Sequence, residues 1–131
     1  MATASEVPTA DGARGQTLNA QISNEMVRLY TELFGRGPTQ ARTAWAGPDT
    51  IVATLEHSMT PAERTMADLG EHQRLRDVRL FFQHAREDDF RRVVERLTGR
   101  RVRAFVSGMD THQDVSVEVF YLKPEPHGEG V

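Results

Sequence analysis

From Thr17 to Phe34 the apolar positions Leu18, Ile22, Met26, Leu29 or Tyr30, and Leu33 advance in steps of three and four, which predicts an amphipathic helix with one buried face. Gly35-Arg36-Gly37-Pro38 ends it, because glycine supplies a left-handed cap and proline cannot continue the turn. Two short extended segments, 41–46 and 50–57, flank the turn cluster Gly47-Pro48-Asp49. Thr60-Pro61-Ala62-Glu63 then reads as a capping box with proline at the first helical position, so Thr60 and Glu63 are expected to be structural caps.

The helical pattern after Thr60 runs as far as Leu97. One straight helix of that length would reach about 55 Å at 1.5 Å per residue, whereas a domain of this size is only about 35 to 40 Å across. A break is therefore required, and Gly70 is the expected place. Beyond it, Leu75, Val78, Phe82, Ala85, Phe90, Val93, Val94 and Leu97 mark the buried stripe of a longer second segment ended by Gly99. Two alternating strands, 101–107 and 114–122, follow around the turn 108–113.

The order α-β-β-α-α-β-β predicts a two-layer α+β fold, with two β-hairpins in an antiparallel sheet and helices on one face. Val102, Ala104, Val106, Val115, Val117, Val119 and Tyr121 form the more apolar face and are expected beneath the helices. The opposite phase, with Arg103, Phe105, Glu118, Phe120 and Leu122, is mixed and is expected to stay wet in a monomer. That makes it the expected seam of a homodimer.

The 131 residues suit one domain, with a net charge of -3 and 38% apolar side chains. Residues 1–15 and 124–131 lack hydrophobic period and are expected to be disordered tails around a single domain spanning 16–123. The absence of cysteine excludes disulfides, thiol nucleophiles and cysteine-type zinc sites. The longest apolar run, Val119 to Leu122, is far short of the roughly 20 residues of a spanning helix, so no direct membrane insertion is expected. No secretory leader is visible, which predicts a cytoplasmic protein.

Fifteen of the sixteen cations are arginine, a residue that grips planar anions. Between residues 61 and 103, eleven arginines are interleaved with eight acids, which reads as a salt-bridged surface rather than a nucleic-acid site. Other arrangements are also better explained structurally. His84 and Asp88 share a helical face, but His57 and His72 lie on other elements, so no metal site and no cofactor are expected. Ser107, His112 and Asp110 or Asp114 resemble triad parts but suit a hairpin turn, and Glu56, Glu118 and Arg103 suit cross-strand pairing. No catalytic residue is assigned. The remaining ligand candidates are Gly35, Arg36 and Gly37 with Arg100 and Arg103, a set suited to a small anion or nucleotide.

Ile22-Ser23-Asn24-Glu25-Met26-Val27, Gly35-Arg36-Gly37-Pro38, Leu55-Glu56, Thr60-Pro61-Ala62-Glu63-Arg64, Gly70, Leu97-Thr98-Gly99-Arg100 and Val117-Glu118-Val119-Phe120 occur in that order. Taken together, this succession resembles the MpsC-like family of small bacterial proteins over roughly residues 18 to 123. The resemblance implies a non-enzymatic accessory or regulatory component of a sodium-translocating, membrane-potential-generating system for ion and bicarbonate supply. It further implies a membrane ion-translocating subunit and its large soluble partner as associates. Some relatives carry two copies of the domain, whereas this chain has one, which favours pairing between chains. A small-anion or nucleotide sensor is the alternative reading.

Overall fold

The computed structural model describes residues 16–125, so the expected tails, apart from Pro124 and Glu125, lie outside the described residues. Helix α1 spans Leu18–Phe34; the Thr17 hydroxyl accepts from the Ala20 amide, and Gly35, at φ 84°, donates its amide to Thr31 O. Its inner face buries Ile22, Met26, Leu29 and Tyr30. A side chain at Gly37 would place Cβ 2.5 Å from Thr31 Oγ1 and 3.3 Å from Val27 Cγ1, so glycine there lets the chain fold back against the helix.

Strands β1 (Gln40–Trp45) and β2 (Thr50–Glu56) form the first hairpin. Helix α2 (Pro61–Asp68) starts with the expected capping box: Glu63 N donates to Thr60 Oγ1, and Thr60 N donates to Glu63 Oε1. The break falls at Gly70, with φ at 81°. A second break divides the following segment into α3 (His72–Ala85) and α4 (Glu87–Thr98), giving one helix more than the periodicity predicted. No glycine or proline marks it. Three acids, Glu87, Asp88 and Asp89, fill the first turn of α4, where negative charge favours a new helix start. Gly99 closes α4 in the left-handed conformation.

Strands β3 (Val102–Asp110) and β4 (Val115–Leu122) complete a four-stranded antiparallel sheet in the order β1-β2-β4-β3. The four helices of the described residues accompany one sheet in an α+β arrangement, with the core between α1, α4 and the inner sheet face. In that core Phe90 stacks on Phe105 with centroids 5.6 Å apart, and Phe105 meets Phe120 at 5.3 Å.

The sheet lies the other way round from the expectation. Glu118, Phe120 and Leu122 are fully buried beneath the helices and Phe105 packs against them, so they form no wet seam. Val106 is 51% exposed, and Val115, Val117, Val119 and Tyr121 are only partly covered. Two effects reverse the phase. The helices bring Tyr30 and Gln83 to one oxygen of the Glu118 carboxyl, which lowers the cost of burying the mixed face. A register shift between Val102 and Ala104 also puts Val102 and Phe105 on the same side, with Arg103 carried outward.

Burial on this scale makes truncations diagnostic. Phe120→Ala should cost about 3 to 5 kcal/mol in chemical denaturation, whereas Val106→Ala should cost less than about 1 kcal/mol. Equal losses would overturn the assignment of faces.

Candidate functional site

Helix α3 carries the least expected feature. Its inward residues are Leu75, Arg79 and Gln83, spaced by four, and two of the three are polar. Arg79 is fully buried; Nη1 donates to Glu63 Oε1 at 3.1 Å and Nη2 to Ser58 Oγ at 2.8 Å, while the guanidinium carbon sits 3.8 Å from the Phe34 ring centroid. An ion pair, a hydroxyl and an aromatic face replace part of the water the guanidinium has lost, while its Nε is buried without a hydrogen-bond partner.

A second buried cluster adjoins it. Gln83 Nε2 donates to Ser107 Oγ and to Glu118 Oε2 at 2.9 Å, and the Tyr30 hydroxyl donates to the same carboxylate oxygen at 2.5 Å. Glu118 Oε1 and Gln83 Oε1 are buried without a hydrogen-bond partner. Burial raises the Glu118 carboxyl to about 7, against the opposing influence of the Ser107 and Tyr30 hydroxyls and Arg79. Burial also holds the Tyr30 phenol well above its ordinary value, with Glu118 adding to the shift.

With its polar stripe inward, α3 turns apolar side chains outward. Phe81 is 66% exposed and Phe82 and Val78 are each 42% exposed, so Val78, Phe82 and Ala85 are not core residues as their spacing suggested. The two phenylalanine rings meet edge to face at 5.3 Å. The reversal follows from Arg79 and Gln83, whose partners lie on α2, the loop before it, β3 and β4. Periodicity alone carries no sign of it, because the stripe Val78, Phe82 and Ala85 is the more hydrophobic one.

The expected anion residues do not converge. Arg36 donates from Nη1 to Met59 O at 2.6 Å, beside the start of β1. Arg100 lies at the far end of the sheet, where it bonds to Asp49 and to the carbonyls of Pro48 and Lys123, clasping the β1–β2 turn to the end of β4. The length of a seven-residue strand, about 20 Å, separates the two ends. Arg103 extends over the Tyr121 ring, with its guanidinium carbon 5.5 Å from the centroid. A pocket of about 340 Å³ adjoins Arg100, Arg101, Lys123 and Glu125. Another of about 230 Å³ lies between α1 and α4, where Arg28, Arg86 and Arg92 are bridged to Glu25, Glu32 and Asp89.

The remaining sequence candidates are dispersed as well. Ser107 bonds to Gln83, whereas His112 stacks on His72 at 3.7 Å; Asp110 accepts from the His112 and Gln113 amides, and Asp114 from those of Ser58 and Met59. Glu56 pairs with Val115 and Glu118 with Ala53, so the two carboxylates point to opposite faces. His84 approaches the Phe105 ring edge to face, and no group of three metal-binding side chains occurs among the described residues. No helix among those residues is long and apolar enough to cross a membrane.

Fold and site together define a small antiparallel α+β domain with a buried charge network behind an exposed apolar helix face. Residues 14–124 match the family described as Na+-translocating membrane potential-generating system (MpsC), and the chain belongs to that family. It is thus assigned to a component of a sodium-translocating system that generates membrane potential. No curated protein and no solved structure matches it.

The raised Glu118 carboxyl makes stability depend on pH. Its folded value of about 7 exceeds the ordinary 4.5, so the folded state binds the proton more tightly than the unfolded chain. The resulting stabilisation is complete below pH 4.5 and is lost as pH rises through about 7. Denaturation of the parent and of Glu118→Gln at pH 4 and pH 8 should therefore show a parent-specific loss on the order of 3 kcal/mol. Parallel pH profiles for the two proteins would contradict this role of the carboxyl.

Proposed function

We propose that this protein is a non-enzymatic accessory or regulatory component of its sodium-translocating system, acting in the cytoplasm by docking onto the membrane ion-translocating subunit or that subunit's large soluble partner. The observation that carries the reading is the outward face of α3, where Val78, Phe81 and Phe82 are exposed while Arg79 and Gln83 are buried. Apolar side chains held outward by a buried polar stripe retain a gain of about 25 cal/mol per Å² that only a partner can realise. Ser107 and Glu118 are engaged in buried bonds and Asp110 and Asp114 in bonds to backbone amides, which also favours a binding role.

Co-expression with the two other components tests the proposal. Phe81→Asp combined with Phe82→Asp should leave circular dichroism unchanged and reduce co-purification at least about tenfold, since loss of a buried aromatic pair exceeds 1.4 kcal/mol. Sodium-dependent potential in vesicles should fall with it. Undiminished co-purification of the folded variant would refute docking through α3.

A second reading, a small-anion or nucleotide sensor, is favoured by the pocket beside Arg100, Arg101 and Lys123. The Gly35–Pro38 turn with Arg36 is the other position for such a ligand. Phosphate, bicarbonate or a nucleotide present at 100 times its dissociation constant should add about 2.7 kcal/mol of apparent stability in a thermal-shift assay. Arg101→Ala with Lys123→Ala should abolish that shift if the pocket is the site, and Arg36→Ala if the turn is. No shift with any of these ligands would end this reading.

A further inference from the structure

Among the described residues, the face of the sheet away from the helices is a second uncovered apolar surface. Val52, Val119 and Val106 stand directly opposite one another across three strands, followed by a row in which Val117 pairs with Gly108. Charge lies at the ends of the strands and on the edge strand β1, where Arg42 stands opposite Thr54 in the Val117 row. Glu56 and Asp110 lie at one end of the strands, and Arg103 lies over Tyr121 at the other. The Gln113 and His112 amides hold the Asp110 carboxyl below the usual carboxylate range, so it is an anion at neutral pH.

From this we infer that the outer sheet face is the seam of a homodimer, two copies packing sheet on sheet about a two-fold axis that crosses the strands between the Val119 and Val117 rows. Three observations select a second copy as the occupant. A flat valine face is matched in shape by another sheet packed in near alignment about 10 Å away. An axis across the strands sets the acidic end of one copy over the basic end of the other, bringing Asp110 towards Arg103 twice, whereas an axis along the strands would oppose like charges. The same operation lays the projecting Val106 of each copy over Gly108 of the other.

Gly108 supports that fit independently. Its φ lies outside the left-handed region, and a Cβ there would make only an ordinary contact, 3.4 Å from Val117 Cγ1. Its own chain therefore gives no reason for glycine within a strand, where the residue costs stability and commonly marks close approach of another surface. This inference does not depend on the docking role of α3, which lies on the other layer.

Light scattering or equilibrium sedimentation of the full chain tests it. At about 100 µM, a concentration at which a modest specific interface is populated, the parent should have twice the 14.7 kDa chain mass. Val119→Arg and, separately, Gly108→Leu should yield folded monomers. Arg103→Glu and Asp110→Arg should each weaken the dimer, and combining them should restore it by reinstating opposite charges across the seam. A parent that remains monomeric overturns the inference, as does a folded Gly108→Leu protein that stays dimeric. A dimer abolished by Phe81→Asp but not by Val119→Arg would place the seam on α3 and equally refute it.

Discussion

The burial of Arg79 constrains this fold more than any single apolar contact. A guanidinium removed from water must find replacement partners at once, and breaking such a pair costs roughly 3 to 5 kcal/mol because it leaves a charge stranded. Glu63, Ser58 and the Phe34 ring supply the replacements from α2, the loop before it and the end of α1. Glu63 has a second duty, since the same carboxylate oxygen accepts from the Thr60 amide. The start of α2 and the rotation of α3 are thereby tied to one oxygen atom. Once Arg79 faces inward, Gln83 follows a turn later, and Phe81 and Phe82 have nowhere to point but outward.

Local rules made much of the chain legible from sequence. Gly35, Thr60, Glu63, Gly70 and Gly99 act through backbone groups within a few residues of themselves, and each performs the expected cap, break or stop. The antiparallel α+β architecture followed from placing these elements in order. The faces of β4 and α3 were not legible, because long-range polar partners decide them. Tyr30 and Glu118 are 88 positions apart, and Gln83 and Glu118 are 35 apart. Hydrophobic patterning ranks Val115, Val117, Val119 and Tyr121 above Ser116, Glu118, Phe120 and Leu122, but it has no means of crediting a carboxyl for donors that arrive from two helices.

The arginines show the same limit. Arg36 and Arg100 were reasonable anion ligands as isolated residues, yet their guanidiniums serve carbonyls 23 and 52 positions away. Sequence reveals an arginine's capacity for hydrogen bonding, and only tertiary structure reveals whether that capacity is already committed. By contrast, the ion pairs on the surfaces of α1 and α4 were legible as a class, since alternating arginines and acids on helices favour mutual pairing. Such exposed pairs each contribute little to stability, and their main effect is to keep this side of the domain hydrated.

The two uncovered apolar surfaces lie on opposite layers, and that separation bears on what the molecule does. Sheet-to-sheet pairing would bury the valine face and produce a four-layer assembly, helices outside and sheets within. Both copies of α3 would then remain on the exterior, with Val78, Phe81 and Phe82 still available. A component that presents two identical docking faces can engage two sites at once, where the second contact forms at the effective concentration set by the first. Modest single-site affinity would suffice for stable association with a membrane complex that itself carries two sites. Through the proposed seam, one domain would become half of a bivalent unit without any second site having to be built into it.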